Sequence, residues 1–381
     1  MNKKVLIIAG EASGDLHGAN LVRALRARDA TLSVYGVGSR NMRDAGVAML
    51  ADAAEISVVG ATEVLAHIGA IYRVYAKLKR FLRDERPDLL ITIDFPDFNI
   101  LVAKAARKLG IPVLYYISPQ VWAWRKGRVR TIARLVRAIM VVFPFEADIY
   151  RRAGVDVRFV GHPLADIVAS DLAQAEARAQ LGLEPGKRTV ALLPGSRRKE
   201  IEQLLPDMLE AAKILRDRFP GMQFVLPVAP TLDHALVARH VGASGVQVRL
   251  VDGRVYDALR ASDAAIVTSG TATLETGLMA VPMVIVYRIS RLSYLIGKMI
   301  VRVKNIGLVN IVAGRTVVPE LVQHAVTPDA IARSISDVLD DPTRHAQVRQ
   351  ELLRVREVLG KGGASDRAAS VVIELLGKAG T

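Results

Sequence analysis

Short, uninterrupted apolar runs alternate with amphipathic segments along nearly the whole chain. In the first half, runs of strand length occupy residues 5–9, 33–37, 89–93, 113–117, 139–143 and 157–160. Segments of helical period lie between them, for example 18–28 and 98–109. A strand that is apolar at every position is covered on both faces. Such strands alternating with helices predict parallel sheets with helices on either side. The pattern restarts at 189–193 and continues through 224–228, 246–251, 264–267 and 283–286. Between the halves, 169–187 is polar and alanine-rich and contains Pro185-Gly186, and 163–187 reads as a hinge. The chain therefore divides into two Rossmann-like, doubly wound α/β domains at 1–165 and 187–360. A last helix, with Ala368, Val371, Val372, Leu375 and Leu376 at helical spacing, lies in 364–381 and could cross back to the first domain.

Ligands of open parallel sheets bind beyond the carboxyl ends of the strands. Two such sheets facing each other would frame a cleft, and five polar turns fall where this rule places a site. Gly10 to Gly18, with Ser13, Asp15 and His17, follows the first strand. Asp94-Phe-Pro-Asp97-Phe-Asn99 follows the third, and Ser118-Pro-Gln120-Val-Trp122-Ala-Trp124-Arg125 the fourth. Pro194-Gly195-Ser196-Arg197 follows the first strand of the second half. Thr268-Ser269-Gly270-Thr271 leads from an apolar strand into a helix containing Glu275. Small hydroxyl residues and a glycine at a helix N-terminus suit an anion, because backbone N–H groups and the helix dipole both point at it. Glu275, one turn further, could accept hydrogen bonds from sugar hydroxyls. Phosphate and diol recognised together suggest a nucleotide or nucleotide sugar. The plainer reading is a capped helix, with Ser269 or Thr271 as N-cap and Glu275 in a capping box. The loop at 10–18 lacks the G-x-G-x-x-G spacing of a dinucleotide site.

Length agrees with two domains, since 381 residues exceed one ordinary core of roughly 150–200 residues. With no cysteine there can be no disulfide, thiolate nucleophile or zinc–thiolate site. The apolar run at 5–9 is too short for a signal sequence, and none approaches the roughly 18 residues of a spanning helix. A cytoplasmic protein is expected.

Net charge changes the picture more. At +14 it calls for nucleic acid, anionic lipid or phosphorylated substrates. The 44 residues between Glu275 and Glu320 contain no Asp or Glu. They carry Arg288, Arg291, Lys298, Arg302, Lys304 and Arg315 among aliphatics such as Leu295, Ile296 and Met299. A second cluster runs from Arg125 to Arg137. A third, Arg73, Lys77, Lys79, Arg80 and Arg83, shares a helix with Ile68, Tyr72, Leu78 and Leu82. Cations among bulky aliphatics fit an anionic membrane surface better than nucleic acid, for which 5% aromatics offer few stacking platforms. Amphipathic helices packed on sheets, with snorkelling lysines, would give part of the same pattern.

Eight stretches together resemble the lipid A disaccharide synthase family of GT-B glycosyltransferases. They are GEASGDLHGA at 10–19, DFPDFN at 94–99, SPQVWAWR at 118–125, FPFE at 143–146, GHPLAD at 161–166, LPGSR at 193–197, ASDAAIVTSGTATLE at 261–275 and PMVIVYR at 282–288. One departure is visible: the family's Leu-Pro-Asn is Leu308-Val309-Asn310 here, which puts the rigid turn in doubt. The resemblance implies a GT-B fold of two facing domains, the first for acceptor and the second for UDP-sugar. It implies transfer from UDP-2,3-diacylglucosamine to the 6-hydroxyl of 2,3-diacylglucosamine 1-phosphate with inversion, at the inner face of the inner membrane. It leaves room for a homodimer and names no cofactor.

Inversion needs a base on the acceptor hydroxyl and charge stabilisation on the departing diphosphate. Asp94, at a strand end, is the first choice of base; a buried carboxylate bracing its turn is the alternative. Asp15 and His17 come second, and Asp15 could instead cap the helix after it. Asp97 suits an N-cap for 98–109. Arg197 is the expected diphosphate clamp, unless it is a solvated loop arginine. Ser196, Ser269, Gly270 and Thr271 would contact phosphate, Glu275 the ribose, and Ser13 and Asn310 the substrates. No Asp-x-Asp follows a hydrophobic strand, so no metal clamp is expected. A basic nucleic-acid binder and a GT-B relative acting on another substrate are the rival readings.

Overall fold

The computed structural model describes residues 2–56, 61–119, 127–289, 305–360 and 362–378. The chain forms two compact units, one of Met1–Asp166 with Leu359–Thr381 and one of Ile167–Val358.

The first unit is built on β1 (Lys4–Ala9), β2 (Ser33–Gly38), β3 (Ala48–Asp52), β4 (Leu89–Ile93), β5 (Val113–Tyr116), β6 (Ala138–Val141) and β7 (Asp156–Phe159). They pair in parallel in the order β3-β2-β1-β4-β5-β6-β7. Every residue of β4, β5 and β6 is buried, as continuous apolar runs require. On one face, Leu6, Ile8, Leu90, Val113 and Tyr115 pack with Val74, Leu78 and Leu82 of the helix Ala61–Glu85 and with Phe98 and Val102 of the helix Pro96–Lys108. The helix Ala364–Lys378 packs on the helix Ala12–Arg28, joined by an Arg28–Asp366 ion pair of 2.7 Å. Asp166 caps its start by accepting from the N–H groups of Ala364 and Ser365.

The second unit contains β8 (Thr189–Leu193), β9 (Gln223–Val228), β10 (Val248–Asp252), β11 (Ala264–Thr268), β12 (Met283–Tyr287) and β13 (Glu320–Val322). Their order is β10-β9-β8-β11-β12-β13, again parallel. The long helix Arg198–Arg218 and the helix Pro328–Leu339 cover one face of this sheet.

Several expectations need correction. The strands β3 and β13 add to the expected ones; both lie at sheet edges and are only partly buried, β13 with three residues and β3 overlapping the short apolar run 47–51. The expected hinge is structured over Leu164–Ile167 and Gln174–Gln180. Within it, Arg178 is buried and bonds the carbonyls of Ala261 and Pro185 and the carboxylate of Asp263. Asp97 does not cap its helix: the N-cap is Phe95, and Asp97 pairs with Arg128. Among the described residues, no helix is long and apolar enough to cross a membrane.

Candidate active site

In each sheet the strand order reverses once, between β1 and β4 and between β8 and β11. In open parallel sheets such a point is where ligands bind, beyond the carboxyl ends of the strands. Four of the five turns singled out from the sequence lie at these two points.

In the first unit, Ala9 of β1 pairs with Ile93 of β4, so Gly10 and Asp94 leave adjacent strands side by side. The ring of Phe95 lies so close over Gly10 that a Cβ there would overlap it, which accounts for the glycine. Asp94 and Phe95 both have positive φ, 42° and 44°. Asp94 is half-buried. Burial, then the nearby charge of Glu11, pushes its carboxyl up to about 6, while a hydrogen bond from the Phe95 backbone works the other way. Glu11, at the start of the helix Ala12–Arg28, is a participant that sequence reasoning quoted in its motif but did not assign.

The second-choice groups have other engagements. The carboxylate of Asp15 is buried and accepts from the backbone N–H groups of Ser39, Asn41 and Met42 at 2.6, 2.9 and 3.2 Å. It caps the helix Arg40–Asp44, and not the helix that contains it. His17 is buried edge-on against His162, with ring centroids 6.2 Å apart. Burial pushes His17 down to about 4, against the pull of Asp166, so it is neutral near pH 7. Its Nδ1 has no hydrogen-bond partner among the described residues. Ser13 is exposed in the first turn of its helix.

In the second unit, Leu193 of β8 pairs with Val267 of β11, which sets the turns carrying Arg197 and Ser269 beside each other. Their helix N-termini differ. At the first, Glu200 accepts from the backbone N–H groups of Ser196 and Arg197 at 2.9 and 3.2 Å and from the Arg197 guanidinium at 3.0 Å. A carboxylate thus sits on amides that could hold a phosphate. The spacing from Arg197 to Glu200 is that of a capping box, a signal present in the sequence. Ser196 and Arg197 are exposed, and an exposed ion pair is worth about 1 kcal/mol or less, so the arginine can exchange partners.

The second N-terminus is open. Gly270 precedes the helix Thr271–Leu278 with φ 151°, ψ −159°, a conformation essentially reserved for glycine, and its missing Cβ leaves free space. The alternative of a capping box does not form: Gly270 is the N-cap, without a side-chain cap, and Ser269 Oγ donates to the carbonyl of Ile306. Glu275, one turn in, accepts from the Tyr256 hydroxyl at 3.0 Å; burial pushes its carboxyl up. Tyr256 was missed because it comes from another helix, Val255–Ala261.

Asn310 is wholly buried. Its Nδ2 donates to the Val318 carbonyl and Glu320, and its Oδ1 accepts from the N–H groups of Val317 and Val318. Those bonds tie the helix Leu308–Ala313 to the segment 317–320. The helix Leu308–Ala313 forms from Gly307 without the family's proline, and the buried Val309 packs close on Gly277. Gln120, Trp122, Trp124 and Arg125 lie outside the described residues, as do Arg291, Leu295, Ile296, Lys298, Met299, Arg302 and Lys304. Two cations of the acid-free stretch are engaged within the fold: Arg288 pairs with Asp207 and Arg315 with Glu351.

Two parallel sheets, each with polar turns at its switch point, define a GT-B architecture. Solved structures agree on the fold. The chain superposes on the UDP-GlcNAc 2-epimerase of Neisseria meningitidis bound to UDP-GlcNAc with a TM-score of 0.64 at 14% identity, covering 97% of this chain and 100% of that one. For MurG of Acinetobacter baumannii the TM-score is 0.59 at 14% identity, covering 98% and 99%. Sequence similarity is more specific. Residues 5–373 match the lipid-A-disaccharide synthetase family. The lipid-A-disaccharide synthase of Geobacter metallireducens is 56% identical over 377 residues, 99% of this chain and 98% of its own length. That of Syntrophus aciditrophicus is 51% identical over 380 residues, 99% of each. The chain belongs to the lipid-A-disaccharide synthetase family, and is a glycosyltransferase of lipid A biosynthesis.

The raised carboxyl of Asp94 has a consequence for stability. A carboxyl with a folded value above its ordinary one favours folding while protonated, and that contribution is lost as pH rises through the folded value, about 6. Asp94→Asn removes the burden. The variant should be more stable than the parent at pH 7.5, by about 1–3 kcal/mol at roughly 1.4 kcal/mol per unit. The difference should vanish below about pH 4, where both forms are neutral. Urea melts of both proteins at the two pH values check this; equal stability at pH 7.5 would contradict it.

Proposed function

We propose that the enzyme transfers the sugar of UDP-2,3-diacylglucosamine to the 6-hydroxyl of 2,3-diacylglucosamine 1-phosphate, with inversion. The products are a β-linked lipid A disaccharide 1-phosphate and UDP. The observation that carries the reading is the placement of Asp94, a partly buried carboxyl that leaves β4 at the switch point of the first sheet beside the turn after β1. Burial pushes that carboxyl up to about 6. A general base is most effective with such a value near the working pH.

In this reading the acceptor's 6-oxygen attacks the anomeric carbon and its proton passes to the Asp94 carboxylate. The new carbon–oxygen bond forms as the bond to the β-phosphate breaks, and the electron pair leaves on UDP. The second unit stabilises that charge. Backbone N–H groups after Gly270 and the hydroxyl of Thr271 donate to phosphate at a helix N-terminus. Arg197 releases Glu200 and takes the diphosphate with its planar fork. Glu275 accepts from ribose hydroxyls, exchanging its bond from Tyr256. Ser13 and Ser196 lie in turns that edge the same crevices, while Asn310 holds the loop behind Ser269.

Both proposed substrates carry acyl chains, which places the enzyme against an anionic membrane surface, on the inner face of the inner membrane. The helix Ala61–Glu85 supports this. Ile68 and Tyr72 are 59% and 70% exposed beside the exposed Arg73, Lys77, Lys79, Arg80 and Arg83. Each cation near such a surface contributes about 1 kcal/mol, so association is reversible and salt-sensitive.

Three outcomes follow from this reading. Asp94→Asn should lower turnover about 100-fold or more, within the usual range for acid–base groups, with UDP affinity little changed. Steady-state rates within a few-fold of the parent would remove Asp94 from the role. Glu275→Ala should weaken UDP binding by about 1–3 kcal/mol in calorimetric titration, the cost of an unpaired polar group. Unchanged affinity in the folded variant would take Glu275 out of the site. Changing both Ile68 and Tyr72 to serine should reduce sedimentation with anionic liposomes at low salt while leaving UDP binding intact. A parent protein that ignores those liposomes would count against the membrane assignment.

A further inference from the structure

Two consecutive residues with side chains, Asp94 and Phe95, are held at positive φ where β4 ends. Left-handed backbone is unfavourable for residues with a Cβ and persists only where the surroundings enforce it. The enforcement is visible. The backbone carbonyl of Asp94 accepts two hydrogen bonds from buried side chains, the Tyr115 hydroxyl at 2.6 Å and the Asn99 amide at 2.7 Å. The Asn99 amide also donates to the carbonyl of Ile93 at 3.1 Å. Tyr115 stands on β5 and Asn99 in the first turn of the helix Pro96–Lys108, so two elements converge on one carbonyl. Phe95, seated over Gly10, fixes the other end of the turn.

We propose that Tyr115 and Asn99 are positioning residues for sugar transfer, which hold the Asp94 peptide in the one orientation that presents its carboxylate to the acceptor hydroxyl. The proposal rests on Asp94 being the base. Neither residue touches the reacting atoms in this scheme. Phenylalanine would fill the same core space in β5, so packing alone does not call for the Tyr115 oxygen. Burial holds that phenol well above its ordinary value, so it remains a donor throughout the working range. Without it the peptide can relax toward ordinary φ, turning the carboxylate out of the place that raises its pKa. A small displacement of a catalytic group is enough to slow a positioned reaction.

Tyr115→Phe in the full chain tests this. Turnover should fall about 10-fold or more, since misplacement by an ångström can cost two orders of magnitude, while UDP affinity stays within about twofold. The acid limb of the kcat/KM profile should move from near pH 6 toward the ordinary carboxylate range, about 4. Adding Tyr115→Phe to Asp94→Asn should cost nothing further, because the clamp acts only through Asp94. Asn99→Ser should move the same limb in the same direction; if it does not fold, Tyr115→Phe decides alone. Unchanged turnover and profile, a slower enzyme with an unmoved acid limb, or additive losses in the double variant would each overturn the proposal. If Asp94→Asn itself keeps activity within a few-fold of the parent, the base assignment fails and the clamp with it. If Asp94→Asn is inactive while Tyr115→Phe behaves as the parent, only the clamp fails.

Discussion

A parallel sheet buried on both faces can keep polar chemistry only at the ends of its strands. In this chain β4, β5, β8 and β11 are buried at every residue, so no side chain of these central strands projects into water. The strand ends take that role. Because the order reverses between β1 and β4 and again between β8 and β11, the loops part there, and Asp94, Arg197 and Ser269 stand at those partings. The position of the chemistry is a consequence of how the cores are covered.

The helix N-termini that follow β8 and β11 in the second unit differ in how they are capped. After β8 the amides of Ser196 and Arg197 are closed by Glu200, which satisfies the helix end with a negative charge. After β11 the helix begins at a glycine with positive φ, with open space beside it and no side-chain cap among the described residues. Helix N-termini favour negative charge whether it comes from a side chain or a ligand. In the proposed reading the diphosphate takes the open end, and Arg197 turns to it from Glu200. In the first unit the same economy appears as strain: two left-handed residues at the end of β4 bring a carboxylate into a place that raises its proton affinity.

Much of the fold was legible because periodicity reports burial directly. The runs 89–93 and 189–193 coincide with β4 and β8, and the helix Ala364–Lys378 stood out by its apolar stripe. The edge strand β13, half-exposed and three residues long, leaves no such mark, whereas β3 overlaps the short apolar run 47–51. At the site, local signals located the turns, while partners distant in sequence stayed hidden. Asp15 caps a helix 25 residues further on, Tyr256 reaches Glu275 from another helix, and Tyr115 reaches the Asp94 carbonyl across neighbouring strands. Arg178, in a polar alanine-rich stretch, looked like linker because nothing nearby in sequence names the Asp263 that buries it. Residue types and spacing announce a helix end or a strand end; which groups meet there is decided by the tertiary fold.

The most direct test of the account is to supply the purified enzyme with UDP-2,3-diacylglucosamine and 2,3-diacylglucosamine 1-phosphate, then follow the products by mass spectrometry and the anomeric proton by NMR. The account predicts one new species whose mass is the sum of the two substrates less UDP, with a β linkage and one UDP released for each. UDP release without a disaccharide, an epimerised donor, or an α-linked product would contradict it.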